Sequence, residues 1–184
     1  NQFLTTVDNT LVEASNTVLS IGSNKQCMNY SQYAIYQTDK TAYQTLVVRD
    51  ELQERNNVKY YDVFVYYPQD DRVISSVNGS APADDYFSAN YMPDQYEREA
   101  FGAILNMEWP RPHVFKMPGQ KEYLCVGLRQ TVHGNENRDF MVVLVLRTEY
   151  IGGRLLEDQE KDEGKLLIYD YDKQLVIGND DADE

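Results

Sequence analysis

The 184-residue sequence predicts an α+β fold, with a helical N-terminal third followed by an antiparallel sheet flanked by further helices. Leu4, Val7, Leu11, Ala14, Val18 and Ile21 alternate spacings of three and four, the seam of a heptad-patterned helix. From Val58 the period changes to β-branched and aromatic runs punctuated by turn residues. The chain also repeats itself. Val65-Tyr66 and Val73-Ile74 return as Ile168-Tyr169 and Val176-Ile177 at a shared offset of 103, with acidic turn residues between the halves each time.

The first helix is expected over residues 1–26, its seam either meeting a second copy of the chain or lying along its own domain. Gly22 and Ser23 weaken it, and Cys27 to Tyr36 carries the apolar pattern on less regularly. A second helix, 39–55, is expected to bury Tyr43, Leu46, Val47 and Leu52. It stops at Asn56-Asn57, whose side chains compete for backbone hydrogen bonds. Residues 1–57 thus form an N-terminal helical region, and 58–150 a sheet module.

That module opens with Val63–Tyr67, the turn Pro68-Gln69-Asp70-Asp71 and the returning strand Arg72–Val77. A loop rich in Ser, Ala, Pro and Asp is expected as far as Met92. A third helix, 93–107, then places Pro93 at its first position and Tyr96, Ala100, Phe101, Ile104 and Leu105 on one side. Pro110 and Pro112 break it, and strands follow at 113–117, 122–131 and 138–147. A short helix at 148–160 runs into the acidic stretch 157–163, so that 151–163 reads as a linker. A second hairpin, Lys165–Tyr169 and Gln174–Ile177, opens a further module at 164–184 that is expected to be truncated.

Composition excludes several functions. A net charge of −13 leaves no surplus of Lys and Arg to neutralise phosphates, which argues against nucleic acid and against an anionic lipid surface. The longest apolar run, Phe140–Leu146, is far short of the ~20 residues a spanning helix needs. The targeting segment is expected upstream of Asn1. Cys27 and Cys125 are either one disulfide or two small buried hydrophobes.

Catalytic motifs are missing. The two histidines, His113 and His133, stand beside no nucleophile elbow, paired-His metal motif or phosphate-cradling Gly loop. Short ligand spacing for zinc is absent, and in Asp170-x-Asp172-x-Gln174 the Gly that a calcium loop needs is replaced by Leu175. The expectation is a non-enzyme without cofactor or metal. What remains is an aromatic stretch with a few polar groups: Tyr86, Tyr91, Trp109, Arg111, His113, Tyr123 and Arg129. Aromatic walls with a few placed polar groups make a small-ligand pocket. Alternatively, Trp109 and Tyr123 are core and the arginines pair with surplus acids.

The order of elements resembles the double-Cache family of extracytoplasmic sensor domains. The resemblance is carried by the heptad helix, Val63-Phe64-Val65-Tyr66-Tyr67, Asp71-Arg72-Val73-Ile74-Ser75-Ser76 and helix 93–107. It continues through Tyr123–Arg129, Phe140–Leu146 and the hairpin in Gly164–Ile177. It implies a long N-terminal helix leaving the membrane beside two PAS-like modules, the distal one a five-stranded antiparallel sheet flanked by helices. Such domains belong to membrane-anchored histidine kinases, chemoreceptors and AraC-type transcriptional regulators. The implied function is therefore extracytoplasmic sensing of a small molecule, with membrane attachment through segments outside this chain, no direct nucleic-acid contact and a homodimer through the N-terminal helix. A cytosolic PAS-like interaction module without ligand is the alternative, and an unrecognised acidic hydrolase a third.

Amino-acid-binding members of that family carry Arg-x-Trp-Tyr after the third helix and an Asp near the last strand. Here Glu108-Trp109-Pro110-Arg111-Pro112 stands instead, and Phe140–Leu146 holds no carboxylate. The ligand is therefore expected to be uncharged or a carboxylate rather than a zwitterion. Its expected place is against the central strand under a loop from Ala81 to Met92, with Arg129 as a buried cation. Trp109 and Tyr123 would be flat walls, with Tyr91 and Arg111 closing the mouth and His113 a further ligand-binding residue.

Overall fold

A computed structural model describes residues 2–33, 40–109, 111–120, 123–133, 138–147, 167–169 and 175–178. Three helices come first: α1 (Gln2–Gly22), α2 (Lys25–Tyr33) and α3 (Lys40–Arg55). Then follow β1 (Tyr60–Tyr67), β2 (Arg72–Ser75), β3 (Gly79–Pro82), α4 (Ala83–Asn90) and α5 (Gln95–Leu105). The strands β4 (His113–Lys116), β5 (Tyr123–Val132) and β6 (Arg138–Arg147) complete an antiparallel sheet ordered β3-β2-β1-β6-β5-β4. The fold is α+β, with helices on both faces of a six-stranded sheet. None of the described helices is long and apolar enough to cross a membrane.

The strand count exceeds the expected five because β3 adds an outer edge where a loop was expected. Gly79, at φ 78, turns the chain after Asn78, and Gly79–Pro82 pairs back on Arg72–Ser75. Most of the expected 81–92 loop, Ala83–Asn90, is helix α4. Asp84 and Asp85 lie in its first turn, where they complement the helix dipole, and Tyr86 and Phe87 bury its inner side. Polar composition concealed an eight-residue helix with only a short inner face. The third expected helix starts two residues late. Asp94 rather than Pro93 sets its start, accepting from the amides of Tyr96 at 2.7 Å and Glu97 at 3.4 Å. On that helix Phe101 and Leu105 are buried, whereas Tyr96 is 82% exposed.

The α1 seam goes to the chain's own sheet. Val7, Ala14, Val18 and Ile21 are buried across β5 and β6, and Val12 and Leu19 face outward. At Gly22 an added Cβ would stand 2.9 Å from Leu128, so the helix end sits close on the sheet. The next helix begins at Lys25, with Asn24 Oδ1 accepting from the amides of Gln26 and Cys27. Helix α3 is rotated from expectation: Tyr43 is 66% and Leu46 55% exposed, while Val48 and Leu52 are buried. The reason is its inner row, Thr41, Thr45, Val48 and Leu52, which follows the helical period with polar residues in half the places. Thr45 can turn inward because its hydroxyl bonds the Thr41 carbonyl at 2.8 Å.

The sheet divides the core. Leu124, Val126, Leu128, Val142, Leu144 and Leu146 face α1–α3, and Cys125, Met141, Val143 and Val145 face α4 and α5. This two-sided burial explains the continuous apolar run of β6. It also separates the cysteines. Cys27 lies in the first layer and Cys125 in the second, and both are free and buried. Farther on, β7 (Leu167–Tyr169) and β8 (Leu175–Gly178) pair antiparallel in a sheet of their own. The expected 148–160 helix and the acidic stretch 157–163 lie outside the described residues.

Candidate functional site

The α4–α5 face of the sheet carries the unusual chemistry. Strand β1 reads Tyr60-Tyr61-Asp62-Val63-Phe64-Val65-Tyr66-Tyr67, one acid in an apolar run. Its pairing with β6 slips between Tyr60, opposite Leu146, and Asp62, opposite Val145. This bulge puts Tyr60 on the α1–α3 side and Asp62 on the other, although they are two residues apart. Asp62 is fully buried. Its Oδ1 accepts from Ser75 Oγ and Ser76 Oγ, each at 2.9 Å, and from the Val63 amide at 2.7 Å. Its Oδ2 accepts from the Tyr86 hydroxyl, from Tyr91 at 3.1 Å and from Ser75 at 2.8 Å.

No ion pair reaches Asp62 among the described residues. Hydroxyl dipoles replace the water and the cation that a buried carboxylate otherwise needs. The same environment acts back on the phenols. Burial, with the Asp62 charge behind it, pushes the Tyr86 hydroxyl well above its ordinary value. Tyr91 is pushed up by burial first and by Tyr86 and Asp62 next. Both therefore remain donors. With every lone-pair direction of Asp62 engaged, this buried carboxylate has no acceptor to spare.

Beside this network stands an aromatic group. Tyr61, Tyr91 and Tyr123 have ring centroids 4.5 to 6.0 Å apart, and the Arg147 guanidinium lies 5.5 Å from the Tyr61 ring. Gln120 of the β4–β5 connection donates to the Tyr91 carbonyl, so Tyr91 is held at both its backbone and its hydroxyl. About 13 Å along β5, four residues on from Tyr123, is Gly127. Trp109 packs directly against it. A Cβ at Gly127 would stand 2.4 Å from Trp109 Cζ3 and 2.9 Å from Phe115 Cε1, so only glycine admits the indole. Phe115 and His113 of the edge strand flank the indole, at ring distances of 5.1 and 6.0 Å. Trp109 is 3% exposed, and its Nε1 is a buried donor without an acceptor among the described residues.

Of the sequence-predicted residues, the fold joins Tyr91 to Tyr123 and Trp109 to His113, as two groups on one face of β5. Arg111 is on the exposed side of the segment leading into β4. Arg129 shares the face but has its own acid. Its Nε bonds Asp139 Oδ2 at 3.0 Å, and its Nη1 bonds the carbonyls of Asn106 and Met107, each at 3.2 Å, past the end of α5. Its charge thus offsets both Asp139 and the negative end of that helix. The residues that sequence reasoning missed are Asp62, Ser75 and Ser76; the signal available was a single Asp inside the β1 apolar run.

Comparison of the chain with family models, with curated proteins and with solved structures returned no match in any of the three. What this face can do chemically follows from its own geometry. It offers aromatic surface, the buried Trp109 Nε1 donor, which has no acceptor among the described residues, and a buried Asp62 whose oxygens are already engaged.

Proposed function

We propose that the chain is the extracytoplasmic ligand-sensing domain of a membrane-anchored signalling or transcription-regulatory protein, and that its ligand is a small uncharged molecule or carboxylate. The reading takes the module 58–150 as PAS-like. Without the four-residue edge strand β3, the order β2-β1-β6-β5-β4, with first and last strands central, supports it.

The observation that carries the ligand class is the Trp109 Nε1 donor. A buried N–H without an acceptor costs about 1–3 kcal/mol, and an oxygen of a bound molecule removes that penalty. The saturated Asp62 supports the same class, because an ammonium group would find its acceptors already taken. Tyr91, Tyr123, His113, Arg111 and Arg129 are the remaining residues assigned to the ligand's surroundings.

Trp109 is the only tryptophan, so its emission reports on this site alone. Titration with sugars and with short carboxylic acids is expected to give a saturable change in emission with at least one of them. A flat response across both classes, with the protein folded throughout, favours the ligand-free interaction module instead.

A further inference from the structure

The two helical layers lie on opposite faces of the sheet, yet one side chain touches the hydrogen bonding of both. Asp62 takes the Tyr86 and Tyr91 hydroxyls from the α4 side. Through Oδ1 it takes Ser76 Oγ, and Ser76 in turn is held by α3 and the turn after it. Asn56 Nδ2 donates to Ser76 Oγ at 3.2 Å, and Gln53 Nε2 donates to the Ser76 carbonyl at 3.2 Å. Because a hydroxyl has one proton, the Ser76 bond to Asp62 leaves its oxygen free to accept from Asn56, which fixes one direction along the chain of bonds. Helix α3 is tied onward to the α1 end by Arg55 Nη1 to Ser20 Oγ at 2.7 Å and by Asn24 Nδ2 to Glu51 Oε2 at 2.8 Å.

We propose that Asp62 couples the two layers, so that a displacement of α4 at Tyr91 is felt at Asn56 and Gln53 of the α3 end through Asp62 and Ser76. The coupling rests on the sensing reading for its purpose, but not for its existence. Its physical basis is the demand for donors of a buried carboxylate that no cation reaches among the described residues. When Tyr91 withdraws, the remaining donors carry more of the charge, and the Ser76 bond tightens. The bonds from Asn56 and Gln53 then change with it. A well-packed sheet between the layers would otherwise insulate them.

A double-mutant cycle on unfolding tests this without any ligand, so its failure is distinct from failure of the sensing reading. The pair is Tyr91→Phe with Asn56→Ala, and the control pair is Tyr66→Phe with Asn56→Ala, since Tyr66 bonds Asp71 at the hairpin turn. The first pair is expected to depart from additivity by about three- to tenfold in the unfolding equilibrium constant, and the control to add. If the double variant does not fold, amide exchange along α3 in the single variant Tyr91→Phe gives the second readout, with exchange near Gln53 and Asn56 expected to slow relative to the start of the helix. Additive behaviour of the first pair, or unchanged α3 exchange, overturns the proposal.

Discussion

The hydroxyl of Tyr91, the residue that ends α4, donates to Asp62 Oδ2 of β1 at 3.1 Å, fastening a helix layer to the first strand of the sheet. Removing the acceptor strands four hydroxyls at once. Asp62→Ala is expected to cost about 2–4 kcal/mol in urea unfolding. Asp62→Asn is expected to cost less, about 1–3 kcal/mol, because one carbonyl oxygen still accepts. Equal stability of wild type and Asp62→Ala would contradict the network.

The contact between Trp109 and Gly127 makes a separate prediction. Gly127→Ala drives a methyl into the indole and is expected to cost about 1–3 kcal/mol, with a red shift of tryptophan emission as Trp109 is displaced. Gly102, inside α5, has nothing within 4 Å of an added Cβ. Gly102→Ala is expected to stabilise by about 0.5–1 kcal/mol through helix propensity alone.

Tyrosine ionisation gives the pH dependence. Burial, with Asp70 second, raises Tyr30 from 10.0 to about 12, and burial, with Asp71 second, does the same for Tyr66. A folded-state pKa above the unfolded one means the unfolded chain loses its protons first. The stabilisation is complete below pH 10.0 and is lost as pH rises toward about 12. The melting temperature, followed by circular dichroism, is expected to fall through that window.

The placement of the α1 seam separates packing from association. Val18→Asp buries a charge against the sheet and is expected to cost more than about 3 kcal/mol. Leu19→Asp, one residue on and facing outward, is expected to change stability by less than about 0.5 kcal/mol. Should the chain dimerise through α1, the outward Val12 and Leu19 would carry the contact, and Leu19→Asp would halve the sedimenting mass.

Much of the architecture was legible where one physical rule dominated. The α1 seam and the β1–β2 and β5–β6 strands were readable because burial there is periodic or continuous. Helix α4 was not, since eight residues with Ser, Ala and Asp among them look like a loop until Tyr86 and Phe87 have a sheet to bury against. Trp109, His113, Tyr91 and Tyr123 could be picked out by residue type, but their division into two groups depends on where β5 lies. Arg129 illustrates the limit: its need for an acid was plain in the sequence, while the identity of that acid, Asp139, required the β5–β6 register. Asp62 faces the helix layer through a bulge, and a bulge leaves no mark in hydropathy.

The most direct test of the sensing account is a thermal-shift screen of sugars, organic acids and amino acids, run in parallel on wild type, Trp109→Phe and Arg129→Ala. A ligand at a hundredfold excess over its Kd adds about 2.7 kcal/mol, which for a chain of this length raises the melting temperature by about 5–10 °C. The account predicts such a shift from a sugar or an organic acid, and its loss in Trp109→Phe. A comparable shift from an amino acid, retained in both Trp109→Phe and Arg129→Ala, would contradict both the ligand class and the site.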